Sequence, residues 1–152
     1  MKPRPDPGLR VRAMRLLGRR EYSRAELHAR LLPHVQPTDD LEALLDQFEA
    51  RNWLSDARAV EQLVSARRSR FGAQRIAHEL RQKGIAESLI EQALPQLRES
   101  ELEAAREVWQ RKFGELPQDQ KEKARQVRFL QSRGFSLDVV FRLLRTSELE
   151  AY

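Results

Sequence analysis

Apolar residues recur along this chain at three- and four-residue intervals, the spacing of one helical face. Leu9, Val11, Ala13, Met14, Leu16 and Leu17 predict a helix over 9–17. Ser23, followed three residues on by Glu26, has the spacing of a capping box. The helix it opens carries Leu27, Leu31 and Leu32 and stops near Pro33. Thr38 is the expected cap of the next helix, whose face is Leu41, Leu44, Leu45 and Phe48. Ser55 caps a helix through Ala59, Leu63 and Ala66, ending at Phe71-Gly72. A helix over 73–82 stops at Gly84, as glycine often marks a helix C-terminus. Separate helices follow over 87–97 and 99–113, the second ended by Gly114 and Pro117. Another covers 118–132 and stops at Gly134. Ser136 caps the last, through Val139, Val140, Leu143 and Leu144. That makes nine helices with short connections and no run that alternates with period two. The chain holds 22 Leu and 16 Ala, against 13 Val, Ile and Thr together. Helix formers dominate and the expected fold is all-α.

The helices repeat. Leu80, Lys83, Gly84 and Ile85 recur as Leu130, Arg133, Gly134 and Phe135 at an offset of 50. Leu89, Ile90, Ala93 and Leu94 continue the match as Val139, Val140, Leu143 and Leu144. Arg70-Phe71-Gly72 resembles Lys112-Phe113-Gly114 at the smaller offset of 42, so the loop after Gly114 has grown by eight residues. The first third is a weaker copy. The expected organisation is a tail over 1–8, three-helix repeats over 9–53, 54–97 and 98–146, and a tail over 147–152. One such unit buries too little surface to stand alone, and stacking units end to end supplies a continuous core. The expected shape is an elongated, curved tandem array. Its radius of gyration should exceed the roughly 15 Å of a compact globule of this length.

Charge follows the repeat. The chain has 28 Lys and Arg against 23 Asp and Glu, a net +5. Residues 1–37 carry +6, 38–63 carry −5, 64–85 carry +5, 86–108 carry −4, 109–145 carry +5 and the last seven −2. Equivalent helices of an array line up, so the cations are expected to gather along one flank. One group is Arg67, Arg68, Arg70, Arg75, Arg81 and Lys83. A second is Arg111, Lys112, Lys121, Lys123, Arg125, Arg128 and Arg133. Such a stripe attracts phosphate backbones or acidic protein surfaces. The plainer reading is a set of solvated helix faces with i,i+4 pairing.

Other chemistry is thinly represented. Cysteine is absent, which removes disulfides, thiolate metal sites and a cysteine nucleophile. His78-Glu79 begins like a zinc-protease motif, but Gln82 stands where the second histidine belongs. Asp39-Asp40 lies at a helix start, where acids complement the dipole. The glycines stand singly at helix ends, so no phosphate loop is formed. Neither catalysis nor a cofactor is expected. No apolar run reaches the ~20 residues of a membrane helix, and the first eight residues lack the apolar stretch of a secretory signal. A soluble, cytoplasmic protein is expected. Phe48, Trp53, Phe71, Phe113, Phe129, Phe135 and Phe141 read as core or helix-end residues, and Trp109 as core rather than a base-stacking platform.

Three stretches carry a resemblance. They are Asn52-Trp53-Leu54-Ser55-Asp56-Ala57-Arg58, then Arg70-Phe71-Gly72-Ala73-Gln74-Arg75-Ile76-Ala77-His78-Glu79-Leu80-Arg81-Gln82-Lys83-Gly84-Ile85, then Arg128-Phe129-Leu130-Gln131-Ser132-Arg133-Gly134-Phe135-Ser136. In that order they resemble the RecX family of recombination regulators over nearly the whole chain. The first stretch departs from the family pattern. Asn52 stands where a glycine is usual, Ser55-Asp56 where an acidic pair is usual, and Ala59 where an aromatic is usual. The resemblance implies a curved array of three-helix units that binds the RecA recombinase filament on single-stranded DNA, in the filament's groove. It implies inhibition of strand exchange, ATP hydrolysis and repressor self-cleavage, by blocking filament growth or promoting disassembly. Direct DNA binding, stronger to single than to double strands, is implied too. A monomer is expected, with no membrane partner.

Two other readings compete. A helix-turn-helix regulator acting on duplex DNA would use similar three-helix units, but it needs a recognition helix and usually a dimer. A passive helical scaffold would need neither DNA nor recombinase.

Overall fold

The computed structural model describes residues 7–150, of which 146–150 are described by their backbone alone. The tail expected over 1–8 lies, but for Pro7 and Gly8, outside the described residues. Eight α-helices follow in order: α1 Gly8–Leu17, α2 Arg24–Leu31, α3 Leu41–Ala50, α4 Asp56–Arg67, α5 Ala73–Gln82, α6 Glu87–Lys112, α7 Gln120–Ser132 and α8 Leu137–Glu150. One turn of 3-10 helix, Leu32–His34, follows α2. Among the described residues there is no strand, so the chain is all-α.

The described residues fall into two compact units. The first extends to Gln62 and takes in Lys83–Ile85. Its core is Leu9, Ala13, Tyr22, Leu27, Leu31, Leu41, Leu45, Phe48 and Leu54, from α1, α2, α3 and the segments that join them. Ser23 closes the capping box with Glu26, each side chain accepting from the other residue's amide at 3.0 Å. The Ser23 hydroxyl is fully buried and also donates to the Lys83 carbonyl. Asp56 Oδ1 accepts from the Arg24 amide at 2.8 Å, so the start of α4 is tied to the start of α2.

The second unit comprises Leu63–Gln82 and the chain from Ala86 onward. Ala104, Ala105, Trp109, Leu130, Phe135, Val139, Val140, Leu143 and Leu144 form its core, with Val127 and Leu102 packed at the margin. The indole of Trp109 is buried and donates to Gln126 Oε1 at 2.8 Å, and the Gln126 amide donates in turn to the Glu115 carbonyl at 3.0 Å. Trp109 is thus a core residue with its polar handle satisfied.

Several local expectations are corrected. The helices expected over 87–97 and 99–113 are one, α6, with Pro95 inside it. Interior proline costs roughly 3 kcal/mol in a helix. Here Pro95 is exposed, where water can serve the carbonyl it frees. Burial of Ile90, Leu97, Ala104, Ala105 and Trp109 along the same helix outweighs that cost. The cap of α3 is Asp40, whose side chain accepts from the Ala43 amide at 3.1 Å, rather than Thr38. Asp39 instead holds the preceding turn through the Gln36 amide at 2.7 Å. α4 ends at Arg67, where the amides of Arg70 and Phe71 both turn back to its carbonyl at 3.0 Å.

Side-chain placement differs too. Val11 and Met14 are 40 % and 48 % exposed, since the core-facing side of α1 is carried by Leu9, Ala13, Leu16 and Leu17. Trp53 and Phe141 are exposed rather than core. Trp53 sits in the turn after α3, edge-on to Phe48 at 5.6 Å, with Arg10 and Arg51 against its ring. Phe141 is on the outer side of α8, with Lys123 over it at 5.8 Å. Asn52 has φ +61°, the left-handed region that asparagine tolerates better than most side chains.

Candidate nucleic-acid interface

The turn after α4 and the loop after α7, both in the second unit, meet backbone to backbone. The Gly72 amide donates to the Arg133 carbonyl at 2.8 Å. Around that contact the cations collect on aromatic rings. Arg75 lies over the Phe71 ring at 4.3 Å, Arg133 at 5.4 Å and Arg70 at 5.8 Å. Arg133 is also 5.3 Å from the Phe129 ring, and Lys112 Nζ approaches the same ring at 5.2 Å. Phe113 stands edge-on to Phe129 at 5.4 Å, with Arg125 over it at 5.4 Å. The three rings are half-buried, and Arg70, Arg75, Lys112 and Arg125 are exposed.

A ring contact holds a cation without neutralising it. A guanidinium over a ring face is attracted by roughly 0.5–1 kcal/mol at an exposed site and keeps its charge and most of its donors. The cations are restrained in place before any anion arrives. Among the described residues two of the five are further engaged: Arg75 donates to the Ser132 carbonyl at 3.1 Å, and Arg125 reaches Glu122 at 3.4 Å. Such a face suits phosphate oxygens, with ring edges nearby for unpaired bases.

The other sequence candidates divide into paired and open side chains. Arg67 is spent on Glu79 at 3.3 Å and Arg81 on Glu87. Lys83 belongs to the first unit, where it is 3.1 Å from Glu26. Burial pushes the Glu26 carboxyl up, but hydrogen bonds from Arg20, the Ser23 amide and Lys83 together hold it below the usual range. Lys123 touches only the Phe141 ring. Arg68, Arg111, Lys121 and Arg128 are exposed, and their side chains make no hydrogen bond, ion pair or ring contact with the described residues. Phe71, Phe113 and Phe129 were read as core or helix-end residues. The signal for their second role is in the sequence: Arg70-Phe71, Lys112-Phe113 and Arg128-Phe129 each set a cation immediately before the ring.

A cleft of about 500 Å³ in the same unit is lined by Arg81, Arg98, Glu101, Asp138 and Arg142 among others. Glu101 is buried and accepts from the Ala73 amide, serving an end donor of α5 that lacks a helical partner. Burial pushes its carboxyl up, against the pull of that amide and of Arg98. Among the described residues no group of three or more His, Cys, Asp or Glu side chains could hold a metal ion, and no helix is long and apolar enough to cross a membrane.

Residues 55–94 match the family model of the second three-helix domain of RecX, and residues 99–144 that of the third. The regulatory protein RecX of Leptothrix cholodnii is 49 % identical over 97 % of this chain and 94 % of its own length. The chain belongs to the RecX family. The RecX proteins of Ralstonia nicotianae and Chromobacterium violaceum are 43 % and 47 % identical, over 96 % and 90 % of the chain and 92 % and 88 % of their own lengths. Two RecX crystal structures share the fold. One, from Lactobacillus salivarius, has a TM-score of 0.77 at 17 % identity and covers 93 % of this chain and 95 % of its own. The other has a TM-score of 0.74 at 22 % identity and covers 89 % of this chain and 70 % of its own. In RecX terms the cation–aromatic face is shared. Arg70, Phe71 and Arg75 come from the second domain, and Lys112, Phe113, Arg125, Phe129 and Arg133 from the third.

Proposed function

We propose that this RecX protein is a negative modulator of the RecA recombinase. It binds the RecA filament on single-stranded DNA, blocks its extension or promotes its disassembly, and so inhibits strand exchange, ATPase and co-protease activities. The observation that carries the DNA half of this reading is the face of Arg70, Arg75, Lys112, Arg125 and Arg133 on Phe71, Phe113 and Phe129. Restrained cations next to ring edges fit a strand whose bases are unpaired better than a closed duplex. The protein acts as a cytoplasmic monomer and catalyses nothing itself. Repeats over 9–53, 54–97 and 98–146 would give one molecule surfaces for more than one filament subunit. Two modest contacts then combine through effective concentration.

The test is inhibition of RecA ATP hydrolysis on single-stranded DNA by the full chain. Substoichiometric inhibition is expected. The Arg70→Ala/Lys112→Ala/Arg125→Ala variant should need roughly tenfold more protein for the same effect, about 1.4 kcal/mol of lost binding. Unchanged inhibition by that folded variant rejects the face. A wild-type chain that leaves the ATPase untouched rejects the function. A strong preference for one duplex sequence would favour a helix-turn-helix regulator instead.

A further inference from the structure

The first unit contains a second collection of cations that the reading above does not use. A cleft of about 200 Å³ is lined by Arg12, Arg15, Arg19, Arg30 and His34 over a floor of Leu16 and Leu31. Arg12, Arg15 and Arg19 are spaced three and four residues apart and so share one side of α1 and the turn that follows it. Arg30 and His34 come from the end of α2 and the 3-10 turn. No carboxylate among the described residues lines the cleft.

That absence is a matter of allocation within the unit. Among the described residues most of its acids are committed elsewhere: Glu42, Asp46 and Glu49 to Arg24, Glu26 to Arg20 and Lys83, Glu21 to Arg58. Asp39, Asp40 and Asp56 hold backbone amides. Arg15, Arg19 and Arg30 are exposed, and their side chains make no hydrogen bond or ion pair with the described residues. Like charges gathered in a concave site repel one another, and an entering anion relieves them all at once.

We propose that this cleft binds phosphate groups of a single-stranded nucleic acid backbone. Guanidinium forks match phosphate oxygens in pairs. The lining offers donors, four guanidiniums and the His34 imidazole, and no carboxylate acceptor, which favours phosphate oxygens over the amino groups of bases. A volume of about 200 Å³ is also smaller than the roughly 300 Å³ at which small-molecule pockets begin. It suits a sugar-phosphate segment and not a whole nucleotide. The proposal deepens the DNA-contact part of the reading above and rests on it.

The experiment uses the full chain without recombinase. Binding of a fluorescent oligothymidylate and of an abasic strand of equal length is followed by anisotropy across a salt series. Inorganic phosphate and ATP serve as competitors. Arg15→Ala/Arg19→Ala/Arg30→Ala should weaken strand binding at least tenfold. It should also lower the salt slope by about 2, since each single-strand phosphate contact contributes roughly 0.7. Retained far-UV circular dichroism shows that the variant is folded. If the triple variant loses helicity, the three single variants replace it, each expected to lose about threefold. The wild-type chain should lose no more through the cleft on the abasic strand than on the oligothymidylate. Unchanged affinity and slope in the folded variant overturn the cleft, while Arg70→Ala/Lys112→Ala/Arg125→Ala in the same assay reports separately on the second-unit face. A cleft contribution that vanishes on the abasic strand also overturns it. So does stoichiometric displacement of the strand from the cleft by ATP or phosphate, which would make a free phosphate compound the ligand.

Discussion

Gly72 and Arg133 are joined by a single backbone hydrogen bond of 2.8 Å, and there is no room for a side chain where they meet. A Cβ on Gly72 would stand 2.3 Å from the Gly134 carbonyl oxygen and 2.6 Å from the Phe135 amide nitrogen. Those atoms are backbone and cannot swing away. Gly134 has φ +90°, and its own Cβ would meet Arg75 Cβ at 2.3 Å. The two glycines let the Phe71 turn and the Arg133 loop touch, and that contact places Arg133 on the Phe71 ring.

Gly72→Ala should therefore destabilise the second unit by about 3 kcal/mol, through forced backbone displacement. It should weaken single-strand binding more than Gly18→Ala, because Gly18 lies at the end of α1, where a Cβ comes no closer than 3.3 Å to any atom. Denaturant melts and anisotropy on the two variants test both statements. Equal stability of Gly72→Ala and wild type would mean the turns separate at no cost.

Glu26 is expected to make the first unit acid-sensitive. Its folded pKa lies below the ordinary value, because Arg20, the Ser23 amide and Lys83 outweigh burial. A lowered carboxylate pKa stabilises the fold above the unfolded value, about 4.3, and that stability is lost as pH falls through the folded value. Glu26→Gln keeps an acceptor for the capping box but loses the charge that faces two cations. It should cost about 1–2 kcal/mol at neutral pH. The gap should close as pH drops from about 5 through the acid range. A gap that stays constant with pH would assign the effect to hydrogen-bond geometry and not to charge.

Local signals in the sequence located most helices, and their failures have local causes. Ser23 and Glu26 form the capping box that their spacing announces. Thr38 lost to Asp40 because two competent caps lay within three residues of one another, and the turn through Gln36 and Asp39 decided between them. The break expected near residue 98 is absent, and even the penalty of Pro95 is overridden by packing that only the assembled unit supplies. The repeat matched Arg70-Phe71-Gly72 to Lys112-Phe113-Gly114 and Lys83-Gly84 to Arg133-Gly134, but gave no sign that the Gly72 turn touches the Arg133 loop, because a contact across about sixty residues leaves no periodic trace. The cations were legible as blocks of charge. Which of them are neutralised was not, since Arg67 and Glu79 meet by helix packing, and Lys83 reaches Glu26 across 57 positions.

Glu101 should show the opposite pH behaviour to Glu26. Burial raises its pKa, so the folded state disfavours its ionised form. A raised folded value means stability that is present at low pH and is lost as pH climbs through that value. Glu101→Gln retains an oxygen for the Ala73 amide and cannot ionise. It should match the wild type near pH 4 and become the more stable protein by roughly 1 kcal/mol at neutral pH. Urea midpoints measured between those limits decide the matter. A variant that is less stable at every pH would show that the charged hydrogen bond, not desolvation, dominates.

Substitutions among the thirteen candidate cations should separate folding from binding, because their environments differ. Arg68, Arg111, Lys121 and Arg128 are exposed without partners among the described residues, so alanine there should change stability by less than about 0.5 kcal/mol. Lys83 is three-quarters buried at its side chain beside Glu26, and removing it leaves a carboxylate with one cation fewer in a water-poor site. Lys83→Ala should cost about 2 kcal/mol, and Lys83→Ala/Glu26→Gln together less than the sum of the two. For single-strand binding the order should invert. The quadruple alanine variant of the open cations should lose affinity and flatten the salt dependence by about 3, at roughly 0.7 for each phosphate contact given up. Lys83→Ala, measured at a temperature where it is folded, should leave the slope alone. A Lys83 variant that flattens the slope would place that side chain on the strand and sink its assignment to the first unit's packing.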